Sequence, residues 1–108
     1  MTRAVQKIID RIQPDVIHAH LRRATRILAR CHTRAAKVST LHIGVNGPSF
    51  LEMDALVAIS PWQLATVPRE YRGILQLIKN SLKPHSKPSE ACLHKLRGEM
   101  TTAPATFI

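Results

Sequence analysis

Aromatic side chains are scarce: one Trp, one Tyr and two Phe make up 4% of the 108 residues. That scarcity excludes a platform that holds single-stranded nucleic acid by stacking successive bases on rings. Long apolar runs are absent too. The longest is Ala55 to Ile59, whereas a membrane-spanning helix needs about 20 apolar residues. The opening Met-Thr-Arg-Ala-Val-Gln-Lys has no apolar run of signal-peptide length. Cys31 and Cys92 lie far apart and form no CxxC, so free thiols in a reducing, cytoplasmic setting are expected. Acids are few, seven against 16 Lys and Arg, which gives a formal charge of +9. The length allows one small domain with a modest core. A hydrophobic content of 44% fits a folded chain.

The charge is uneven. Residues 1–37 carry nine Lys and Arg and two acids, and residues 65–108 carry seven and three. Between them, residues 38–64 have no base and only Glu52 and Asp54. Basicity of this kind points to an anionic partner, either a membrane surface or a nucleic acid. No helix-turn-helix, RRM, KH or zinc-finger signature is present, so nucleic acid is not the expected partner.

Periodicity predicts the elements. Ala4, Ile8 and Ile12, with Val5 and Ile9, give a helix over 2–12 that Pro14 ends. Val16-Ile17-His18-Ala19-His20 reads as a buried strand. Over 21–35 a helix is expected, with Leu21, Ala24, Ile27, Leu28 and Cys31 inward and Arg22, Arg23, Arg26, Arg30 and Arg34 outward. Lys37 to His42 is the next strand, followed by a loop with its turn at Asn46-Gly47-Pro48, where Pro48 can open a helical turn. Asp54 to Ile59 is a third strand. Ser60-Pro61-Trp62-Gln63 starts a short helix with N-cap, N1 proline and capping-box signals, and Trp62 is expected to pack. Ile74 to Ile78 is a fourth strand. Lys83 to Ser89 has linker composition, and Ser89 to Arg97 reads as a helix stopped by Gly98. Strands separated by helices imply an α/β fold with a parallel sheet and right-handed crossovers. Ligands then sit beyond the carboxyl ends of the strands, near His20 to Arg22, His42 to Asn46, Ser60 and Asn80.

In order, Pro14 to His20, Val38 to His42, Asp54 to Ser60 and Ile78-Lys79-Asn80 resemble the second half of the N-terminal domain of GT-B glycosyltransferases of family four, the group 1 enzymes. The resemblance implies an incomplete Rossmann-like parallel sheet of about four strands. Residues 1–82 are expected to be part of the acceptor-side domain. Residues 83–108 would be a linker and helix leading towards a donor domain, whose first strand would begin near Phe107-Ile108. On this reading the chain is a fragment, inactive alone, with a separately encoded second half as a candidate partner. The implied reaction moves a sugar from a nucleotide-sugar donor to a glycan or lipid-linked acceptor, in polysaccharide biosynthesis, with no resident cofactor. The resemblance assigns a catalytic role at the cleft to His20, the second histidine of the stretch. His42, Arg22, Arg23 and Asn80 are the acceptor-binding candidates. The family's Asn-Gly-Val-Asp turn reads Asn80-Ser81-Leu82-Lys83 here, which weakens that part of the assignment.

Blander readings stand beside each of these. His18 and His20 face the same side of a strand, a spacing that suits a metal with His42 or Cys31-His32 as further ligands, but no second CxxC or HxxxH pattern supports one, so no metal site is expected. His18 alone reads as a core histidine. Ser60 reads as a cap, since no GxSxG surrounds it. Asn80 reads as a turn residue. The face of Arg22, Arg26, Arg30 and Arg34 is either solvated or peripheral to an anionic membrane at its cytoplasmic side. The alternative functions are a non-catalytic Rossmann-like interaction module and a basic membrane- or nucleic-acid-binding domain.

Overall fold

The computed structural model describes residues 1–84 and 86–100. Helix α1 (Thr2–Ile12) leads into strand β1 (Val16–His20), helix α2 (Leu21–Ala29) and strand β2 (Ala36–Leu41). A 3-10 turn (Pro48–Glu52), strand β3 (Ala55–Ala58), the one-turn helix α3 (Pro61–Leu64) and strand β4 (Ile74–Leu77) follow. Helix α4 (Glu90–Met100) comes last. The α/β pattern expected from the sequence is therefore the one observed.

The four strands are parallel and stand in chain order, β1-β2-β3-β4. With parallel strands in chain order, crossovers of the usual right hand collect the connections on one face of the sheet. The core lies there, built from Ala19, Leu28, Leu41, Phe50, Met53, Leu56 and Ala58. The other face carries Val16, His18 and His20 on β1 and Ile74 and Gln76 on β4, all of them exposed. Val16 and Ile74 keep 58% and 68% of their surface in water.

Helix α1 closes at Gln13, whose φ of 50° is left-handed and whose N–H donates to the Ile9 carbonyl at 2.8 Å. The chain thus leaves the helix just before Pro14, through a left-handed turn rather than the extended geometry usual before a proline. Gln6 fastens α1 to the end of α2. Its amide donates to the His32 carbonyl and its carbonyl accepts the His32 N–H, each at 2.8 Å.

Helix α2 is shorter than its periodicity predicts, ending at Ala29 rather than 35. The Arg30 and Cys31 N–H groups bond back to Ile27 and Leu28 in tighter, three-residue steps. Cys31 to Ala35 then turns into β2, held by the Lys37 ammonium on the Cys31 carbonyl at 2.8 Å. Arg34 consequently sits beyond the helix, apart from the Arg22–Arg26–Arg30 face. The buried stripe is also rotated. Thr25 and Leu28 are buried, whereas Leu21 and Ala24 are exposed.

At α3, Gln63 is buried, and its carbonyl accepts the N–H groups of Ile59 and Ser60 at 2.7 and 3.2 Å. Trp62, expected to pack, is 55% exposed because it points off this single turn. Tyr71 donates to the Met53 carbonyl at 2.8 Å, and partial burial, then nearby Asp54, raise its pKa above the usual phenol value. Ser89 caps α4 by accepting the Cys92 N–H, as the sequence implies, but the helix runs through Gly98 to Met100. Both cysteines are free thiols, Cys31 buried and Cys92 exposed. The expected approach to a donor-domain strand at Thr106–Ile108 lies outside the described residues.

Candidate functional site at the carboxyl ends of β1 and β2

Strand β1 ends on His20, and α2 begins at once. So abrupt a reversal forces Leu21 to φ 69°, a left-handed conformation that is costly for a branched side chain. The turn leaves His20 extended, with φ −117°, and its ring clear of the helix. Register does the rest. His18 stands beside Val38 and His20 beside Thr40, so alternate residues of the two strands share a face. His42 continues that face just past the end of β2.

The rings form a connected row. His18 Nε2 pairs with the Thr40 hydroxyl at 2.6 Å. The His18 and His20 rings stack with centroids 4.5 Å apart and planes 21° from parallel. His20 Nδ1 then meets His42 Nε2 at 3.0 Å, with centroids 5.2 Å apart. His18 is thus on the exposed face and not in the core. Its pKa is lowered from the ordinary imidazole value, first by partial desolvation and then by repulsion from His20.

Of the other residues singled out, Arg22 lies in the first turn of α2 with its guanidinium over Gly47, where an added Cβ would sit 3.4 Å from Nε. Arg23 is exposed on the same turn. Asn80 is exposed, three residues past β4. Since β1 and β4 are opposite edges and strands lie about 4.8 Å apart, roughly 14 Å of sheet separates Asn80 from His20. The structure therefore groups His18, His20 and His42, sets Arg22 over the loop that follows them, and leaves Asn80 apart. Cys31 and His32 lie at the far end of α2, away from this row. Among the described residues, no three His, Cys, Asp or Glu side chains are grouped to hold a metal ion.

The loop behind the row is pinned by Thr66, which accepts the Val45 N–H at 2.9 Å and donates to the Gln63 carbonyl at 2.6 Å. Gly44 allows this approach: a Cβ there would lie 2.6 Å from the Thr66 methyl. Neither Thr40 nor Thr66 stands out in the sequence as a site residue. Thr40 was within reach, because it alternates with His42 on a strand. Nothing local to Thr66 signals its role.

The histidine row is an open surface. An apolar recess of about 190 Å³ beside it is lined by Val5, Ile17, His18, Ala24 and Ile27. A larger polar cleft, about 440 Å³, lies at the opposite end of the sheet between Arg34, Lys37, Glu52 and Asp54. In open parallel sheets, ligands gather at the carboxyl ends, so position favours the histidines over the larger cleft.

The profile of the glycosyl transferase 4-like family matches residues 1–81. The chain belongs to that family. No curated protein and no solved structure matches it. The glycosyl transferase 4-like region runs from α1 through β4 and takes in every candidate residue named above. Helix α4 falls outside it. Membership fits the parallel sheet and agrees with the resemblance read from the four strand motifs.

Proposed function

We propose that this chain supplies the acceptor side of a glycosyltransferase, which moves a sugar from a nucleotide-sugar donor to a glycan or lipid-linked acceptor. Residues 1–82 are the acceptor-side domain, and residues 83–108 connect it to a donor-binding part. The observation that carries this reading is the position of His20, at the carboxyl end of β1 in a glycosyl transferase 4-like chain. His20 touches the acceptor sugar. His42 borders the same surface, and Arg22 and Arg23 make it attractive to a phosphate at the start of α2. No metal or organic cofactor takes part on this side.

The proposal includes a place for the reaction. The exposed cations of α1 and α2 face an anionic membrane from its cytoplasmic side, where a lipid-linked acceptor would be met. What supports this is the pairing of two basic helices. Arg3, Lys7 and Arg11 are exposed on α1, as are Arg23 and Arg26 on α2.

Titrating the isotopically labelled full chain with free hexoses, N-acetylhexosamines and octyl glucoside tests the reading. Saturable shifts in the signals of His20, His42 and Arg22 are expected with at least one of these sugars. His20→Ala should weaken that response about two- to tenfold, the loss of one hydrogen bond. Shifts that ignore the His20 substitution would remove His20 from the site.

A further inference from the structure

The contact between His20 Nδ1 and His42 Nε2, at 3.0 Å, has a consequence for how His20 presents itself. A neutral imidazole has one N–H and one bare nitrogen, and which nitrogen carries the proton is set by the bond the other makes. Two ring nitrogens at hydrogen-bond distance must be one donor and one acceptor. His42 therefore decides where the His20 proton sits.

We infer that His42 is a positioning residue: its Nε2 accepts the Nδ1–H of His20, so that His20 turns an unprotonated Nε2 towards an acceptor-sugar hydroxyl. The direction rests on the acceptor-side reading above. The hydroxyl that attacks a donor sugar must lose its proton, and a nitrogen that draws on that proton must be bare. If His42 donated instead, His20 Nε2 would carry a hydrogen and could not accept one from the sugar.

The surroundings hold the pair in place. His20 is fixed from below by the stacked His18 ring, itself tied to Thr40 at 2.6 Å. Its backbone is fixed by the left-handed turn at Leu21. The loop that follows His42 is anchored by Thr66 on the Val45 N–H. Thus His20 is set by a second contact of its own ring and His42 by the anchored loop it leads into, as a residue needs if its tautomer is to matter.

The imidazole nitrogen spectrum of the full chain, recorded at about pH 8 where an ordinary imidazole is neutral, reads the tautomer directly. Wild type should show His20 predominantly as the Nδ1–H form. His42→Ala should let His20 relax to a mixture of tautomers, with the amide spectrum elsewhere unchanged. His42→Gln should restore the Nδ1–H form, because the glutamine carbonyl accepts the same hydrogen. A wild-type His20 in the Nε2–H form, or a tautomer indifferent to His42→Ala, overturns the inference. No sugar is present in this measurement. A chain with the expected tautomers and no response to any sugar would lose the acceptor-side reading and keep the pair. A sugar response without the tautomer effect would remove only the role of His42.

Discussion

His18 shows how a side chain can sit on an open face and still be held. Its ring is pressed between the Thr40 hydroxyl and the His20 ring. Its pKa is lowered, chiefly by desolvation and then by His20. The unfolded chain therefore binds a proton at His18 more readily than the folded chain does. Stability should fall as pH drops below about 6.5, the ordinary imidazole value, and level off once the folded ring is protonated as well. His18→Gln keeps a partner for Thr40 and removes the titration, so its melting temperature should vary less than wild type between about pH 5 and 8. Equal slopes for the two proteins would trace the pH dependence to other groups. At this scale the sequence was partly legible. The two-residue spacing of His18 and His20 gave their shared face. The meeting with His42 depends on the register of β1 against β2, a tertiary property that no local pattern encodes.

Helix α2 carries the largest gap between pattern and structure, and the reason is physical. Leu21 belongs to the apolar stripe by spacing, but at the head of the helix its φ is left-handed and its side chain is left in water. The stripe then turns towards Thr25, which is fully buried and bonds both the Leu21 carbonyl and the buried Ser39 hydroxyl on β2. Thr25→Val keeps the shape and leaves Ser39 without this partner in the core, which should cost about 1–3 kcal/mol in chemical denaturation. Adding Ser39→Ala should recover part of that loss, because the orphaned group goes too. Full additivity of the two substitutions would show that the hydroxyls do not stabilise each other. Elsewhere the elements were readable from one-dimensional signals. Pro61 and Gln63 marked α3, and short apolar runs bounded by helices and turn residues marked all four strands. The early end of α2 was not readable, because it is set by the buried Cys31, whose thiol bonds back to the Ile27 carbonyl, and by Lys37 reaching back to the Cys31 carbonyl. The continuation of α4 through Gly98 shows that a lone glycine lowers helix propensity by only about 1 kcal/mol, too little to end a helix by itself.

Taken as a whole, the molecule segregates its charge. Two basic helices lie together, while the histidine row opens at the carboxyl ends of the strands. Full-length protein should sediment with vesicles containing phosphatidylglycerol, not with pure phosphatidylcholine, and release as salt is raised. Each Lys or Arg near an anionic surface contributes about 1 kcal/mol, so Arg23→Gln with Arg26→Gln should weaken partitioning by roughly 30-fold. Indifference to lipid charge would leave these cations as a solvated face. The sheet's order adds one further consequence. Since every strand pairs with the one before it, each can dock as soon as it leaves the ribosome, closing only a short loop each time. The same order run backwards makes β4, the most exposed strand, the natural first to detach, so local opening should travel from the C-terminal edge inward and reach the histidine row last.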